Sequence, residues 1–175
     1  MSRNSQFDML GSLGLLDWSA MLAGWKHGWV SREELSTFAT DFLSKEDDPE
    51  LWPDLSIMAS SESLDQLDDS EIRALLVKMN VGCAEPNTSL DKWRLVRLLE
   101  LQASLLDWDT KVTLLEELGA EFGYPDDMWR CTRYAPSDEA IRSGHAAPED
   151  RLIDPLKEMD SVIQQLKKNL YGTSG

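Results

Sequence analysis

Apolar residues recur at three- and four-residue steps along nearly the whole chain, and no stretch sustains the alternation of a half-buried strand. Asp17 can cap a first short helix over about 18–26, closed before Gly28. Ser31 and Glu34 form a Ser-x-x-Glu capping box opening a helix with Leu35, Phe38 and Phe42 on one face. Asp48-Pro49 is a further start signal, with Pro53 close enough to leave a short or kinked element near 51–58. Residues 61–69 are polar and acidic and read as a loop or a one-turn link. Ser70 then begins a helix with Ile72, Leu75, Leu76 and Met79 inward.

After a break over 82–88, Ser89 is expected to cap the strongest helix. There Leu90, Trp93, Val96, Leu98, Leu99, Leu101, Leu105 and Leu106 leave little of the circumference polar. A helix apolar on most sides belongs in a core. Asp109 reads as the cap of the next helix, with Val112, Leu115, Leu118 and Phe122 on one face and Gly123-Tyr124-Pro125 as its end. Asp126 or Asp127 caps a short helix through Met128, Trp129 and Cys131. An irregular stretch over 135–148 precedes a last helix at about 149–170, striped by Leu152, Leu156, Met159, Ile163, Leu166 and Leu170. Pro155 either kinks that helix or marks its true start. The expected fold is all-α: one domain, 1–175, forming a compact array of seven or eight helices around a buried helix at about 89–106. Residues 1–16 and 171–175 are expected to be partly disordered.

Charge changes this picture from architecture to partners. The formal net charge is −15 over 175 residues. An excess that large repels itself within a compact state. It disfavours direct binding to nucleic acid or to an anionic membrane, which requires clustered Lys and Arg. A basic protein is its natural complement. The excess is also uneven: ten carboxylates and no Lys or Arg occur over 46–71. A second concentration over 107–127 is relieved only by Lys111. Such fields speed association with oppositely charged partners, although a solvated face with no partner is the competing explanation. Among the seven Trp, Trp93 and Trp129 read as core, and Trp52, beside the acidic run, reads as an exposed interface anchor. Arg94 and Arg97 share a helix face, as do Arg130 and Arg133, and neighbouring acids make internal ion pairs the expected outcome.

Signatures of chemistry are sparse. The two histidines, His27 and His145, lack ligand-spaced partners, and His27 lies between Trp25 and Trp29, where packing is the simpler role. No His-x-x-x-His, Cys-x-x-Cys or phosphate-binding glycine loop occurs. Cys83 and Cys131 are too few and too far apart for a disulfide framework. Reduced buried thiols are expected, with a single bridge left open. No catalytic residue, cofactor or metal is expected, and the chain does not read as an enzyme. The N-terminus lacks the basic flank and apolar run of a signal peptide, which leaves the cytoplasm as the expected address.

Several segments together resemble a bacterial family known as domain of unknown function 2247. They are the Trp-rich segment 18–31 with its Lys26-His27-Gly28-Trp29 turn, the helix at 38–43, Lys92-Trp93, the segment 121–128, and Arg133-Tyr134-Ala135-Pro136. Members of this group look like immunity proteins of toxin–immunity and contact-dependent growth inhibition systems. The resemblance therefore implies an antidote to a cognate toxin domain and supplies no catalytic residues. Many such toxins are nucleases with basic clefts, so an acidic helical surface could cover the active site of an RNase or DNase. The residues expected to do so are Asp47, Asp48, Asp54, Asp65, Asp68 and Asp69, with Trp52 as the packing anchor. The alternative is a general acidic adaptor or regulatory module without a dedicated toxin, which promiscuous and salt-labile binding would reveal.

Overall fold

The computed structural model describes residues 5–46, 48–81, 86–136, 142 and 153–172. Every regular element among them is a helix, so the all-α expectation holds. In chain order they are α1 (Ser5–Ser12), α2 (Trp18–His27), α3 (Arg32–Leu43), α4 (Trp52–Ala59), α5 (Ser61–Gln66), α6 (Asp69–Met79), α7 (Pro86–Ala103) and α8 (Trp108–Glu121). A 3-10 turn (Asp126–Met128) and α9 (Pro155–Tyr171) follow. Nine α-helices among the described residues exceed the seven or eight expected, because two short ones carry too little pattern to be seen. One is α1, which buries Phe7 and Leu10 in a segment expected to be partly disordered. The other is α5, capped by the Ser60 side chain and burying only Leu64. It stands where a loop or a one-turn link was expected, and is nearer the second.

The chain forms two compact units, Met1–Trp93 and Arg94–Gly175, with α7 contributing to both. In the first unit, α2 starts where the Asp17 carboxylate accepts from Ala20 N at 2.9 Å. It stops at Gly28, whose φ of 71° supplies the left-handed turn. Trp18 packs edge-on against Phe38 and Phe42 of α3, with ring centroids 4.7 and 5.2 Å apart. Gly24 has no room for a side chain: a Cβ there would lie 2.5 Å from Val30 Cγ2 and 2.6 Å from Trp93 Cζ2. That closeness lets the buried Trp93 indole donate to Ala20 O at 2.8 Å. Beside it, Lys92 is almost wholly buried and forms an ion pair with Asp17, while also donating to Ser19 Oγ at 3.1 Å.

In the second unit, α7 buries Leu95, Val96, Leu98 and Leu101, and α8 buries Val112, Leu115 and Leu118. Helix α9 buries Met159, Val162, Ile163 and Leu166 at core-facing spacing. Pro155 is its first residue and Asp154 its cap, which resolves the two readings of that proline. Leu152 lies outside the described residues.

Three boundaries differ from expectation. Helix α7 begins at Pro86, placing Ser89 buried within it instead of at its cap. It ends at Ala103, leaving Leu105 fully exposed and Leu106 partly so. Asp107, not Asp109, caps α8 by accepting from Thr110 N at 3.0 Å, which leaves the Asp109 carboxylate free to pair with Arg133.

Candidate partner-binding surface

The acidic run of the first unit is carried on the turn before α4, on α4 and α5, and on the cap and first turn of α6. Helices α3, α4 and α5 pack on one another, so residues 46–71 fold as neighbouring short segments and not as an extended tail. Asp48 is exposed and accepts from Glu50 N at 3.0 Å, while its own N–H donates to Glu46 at 2.9 Å. That turn precedes α4, so the Asp48-Pro49 signal marks a turn and Pro53 takes the position near the helix start. The Trp52 ring is 48% exposed, with its indole N–H donating to Glu46 O at 3.2 Å. Trp52 is thus exposed, as its polar neighbourhood suggests.

The remaining acids divide by role. Asp54 has a side chain only 14% exposed and is paired with Lys78 of α6. Its carboxylate tethers α4 to α6 and is poorly placed to meet a partner. Asp68 is the cap of α6, accepting from Ser70 N and Glu71 N at 2.8 and 2.9 Å, and Glu71 completes a capping box. Asp69 is 83% exposed and bonded to Arg32 at 3.1 Å. The Arg32 guanidinium also caps the carboxyl end of α5 through Leu64 O and, at 2.9 Å, Leu67 O. Asp65 is exposed on α5, as are Glu62 on the same helix and Glu50 before α4. Asp47 lies outside the described residues.

Folding therefore brings two cations, Arg32 and Lys78, to nine described carboxylates. A helix cap satisfies hydrogen bonds but leaves the negative charge in place, offset only by the partial positive charge of the helix end. The surface stays strongly acidic after folding, and Glu50, Glu62 and Asp65 are the carboxylates on it without a described pairing role.

The aromatic and basic residues resolve differently from their sequence reading. His27 stacks on Trp29 at 4.5 Å and 17°, which fits packing. Arg94 makes a bidentate pair with Asp127, and Arg97 pairs with Glu121, as the neighbouring acids imply. The 3-10 turn spans Asp126–Met128, so both acids lie inside it and the cap position falls to Pro125, whose side chain cannot accept a hydrogen bond. Trp129, expected in the core, is 50% exposed, since the turn it follows is too short to carry a helical face. With Tyr124 it lines a cavity of about 420 Å³ that no periodicity along the chain signals. Tyr124 sits at φ 55°, the left-handed region that non-glycine residues avoid. It is held there by its N–H donating to Gly119 O at 2.7 Å, at a cost of about 1–2 kcal/mol.

The Cys131 thiol at the floor of that cavity is pushed up to about 12, first by burial and then by the carboxylates of Glu158 and Asp127. Burial thus keeps it in the protonated thiol form at neutral pH. Cys83 lies outside the described residues. No group of three or more metal-ligating side chains occurs among the described residues, and no helix among them is long and apolar enough to cross a membrane.

The described residues thus form an all-helical fold with an acidic surface over residues 46–71. The family described as an uncharacterized protein conserved in bacteria (DUF2247) matches residues 7–168, and the chain belongs to that family. No curated protein and no solved structure shows significant similarity to it.

Proposed function

We propose that the chain is an immunity protein that neutralises a cognate bacterial toxin domain by covering it with the acidic surface of α4–α6. The observation that carries this reading is the imbalance that survives folding: nine described carboxylates against two recruited cations, beside the exposed Trp52. A basic, phosphate-binding cleft of a nuclease has the complementary charge. Exposed carboxylates at Glu50, Glu62 and Asp65 steer the encounter, and Trp52 supplies desolvated apolar contact. No chemistry is asked of the protein itself.

The test is co-expression of the tagged chain with its neighbouring open reading frames, followed by capture. One basic domain retained in stoichiometric amount at moderate salt supports the reading. Combined Glu50→Lys, Glu62→Lys and Asp65→Lys substitutions should slow association on the order of tenfold or more at low salt. Unchanged association would remove this surface from the interface. Capture of a salt-labile mixture of unrelated basic proteins would favour a general acidic adaptor instead.

A further inference from the structure

We infer that the cavity between the carboxyl ends of α2 and α6 and the start of α7 binds a small organic carboxylate with a short apolar body. The site goes beyond the proposed function and does not depend on the acidic surface of α4–α6. The cavity, of about 210 Å³, lies wholly in the first unit. Leu22 and Ala23 of α2 and Leu90 of α7 give it an apolar lining. Its ionisable lining is Lys26 and His27, with no carboxylate among the described lining residues. In a chain of net charge −15 that is a local reversal of sign.

Three further observations favour an anion as the occupant. Lys26 and His27 are both exposed, and neither side chain is engaged in a described ion pair or hydrogen bond. His27 stacks on Trp29, a contact that uses the ring face and leaves the ring nitrogens at its edge. The end of α2 does not consume these donors either, because its carbonyls are covered by the backbone. Gly28 N–H donates to Trp25 O at 3.2 Å and Trp29 N–H to Gly24 O at 2.8 Å. The acceptors nearby, in contrast, are spent or out of reach. Ser19 Oγ donates to Asp17 at 2.7 Å and accepts from Lys92 at 3.1 Å, and Lys92 matches the charge of Asp17. The Asn80 side-chain oxygen is buried, which leaves its amide N–H groups as the end open to a ligand. What remains is a set of donors beside an apolar lining. A carboxylate satisfies the donors through charge-assisted hydrogen bonds, and its hydrocarbon body covers Leu22, Ala23 and Leu90.

The experiment titrates the full chain, at fixed pH and ionic strength, with n-butyrate and separately with 1-butanol and inorganic phosphate. The His27 ring protons and the Ala23 methyl group are followed by NMR. Butyrate should give saturable shifts at both and bind roughly tenfold more tightly than either other probe. Equal binding of butanol would make this an apolar pocket indifferent to charge, and equal binding of phosphate would show that the apolar lining contributes nothing. Either result, or the absence of a saturable shift, overturns the assignment. Lys26→Met, at an exposed position, should reduce butyrate binding to the level of butanol, and His27→Gln should weaken it severalfold. Undiminished butyrate affinity in both variants would refute the site.

Discussion

Asp17 performs two tasks with one carboxylate, capping α2 and holding the buried ammonium of Lys92. Burial alone would raise its pKa, but hydrogen bonds from Lys92, Ser19 and Ala20 outweigh this and hold it below 3.8. A depressed carboxyl stabilises the fold fully above its unfolded value, and the contribution is lost as pH falls through the lower folded value. Loosening of this corner therefore belongs to pH below about 4. The two partners are not equivalent, because Lys92 is nearly inaccessible whereas Asp17 is about half exposed. Asp17→Asn preserves the cap but strands a buried charge, and should cost about 3 kcal/mol in urea unfolding. Lys92→Met leaves a carboxylate that water can reach, and should cost under about 1 kcal/mol. Equal losses would show that leaving the buried Lys92 ammonium unpaired costs no more than leaving the Asp17 carboxylate unpaired. At Tyr124 the expectation has the opposite sign. Tyr124→Gly relieves the φ of 55° and should raise stability by about 1 kcal/mol, read as a higher urea midpoint, while removing one wall of the cavity.

Element starts were legible where a polar cap directly preceded an apolar stripe. Asp17 and Ser31 each open a helix in the structure, and Pro155 marks a true start, one of its two readings. Where several acids crowd together the signal is degenerate: Asp109 reads as the cap, yet Asp107 is the residue that accepts from Thr110 N. Composition likewise extended α7 too far, since Leu105 and Leu106 continue an apolar run with no Gly or Pro to end it. Short elements such as α5 leave a single buried residue and hence no period to read. Of the candidate site, exposure of Trp52 and Asp65 followed from their polar neighbourhood. The diversion of Asp54 to Lys78 and of Asp69 to Arg32 could not be read, because those contacts join residues brought together only by folding. Capping and charge can be separated at Asp68: Asp68→Ala should destabilise by about 1 kcal/mol, whereas Asp68→Asn should be nearly neutral to stability. Thermal unfolding of the two variants checks this, and an equal loss in both would assign the effect to charge.

For the molecule as a whole, a net charge of −15 sets a long-range field that salt weakens. Partner association should therefore slow as ionic strength rises, while the helical framework, held mainly by apolar burial, changes little. Membership of a bacterial family spanning residues 7–168 places nearly all of this framework under one pattern. Several of its acids, among them Asp48, Asp68 and Asp107, owe their positions to backbone N–H groups that an asparagine oxygen would satisfy equally well. A single-nucleotide change converts an Asp codon to Asn, erasing one charge while leaving the turn or helix start intact. The electrostatic signature of the surface can thus drift in unit steps with little disturbance to the architecture, and a lineage facing a newly altered opponent could retune its affinity without having to relearn how to fold.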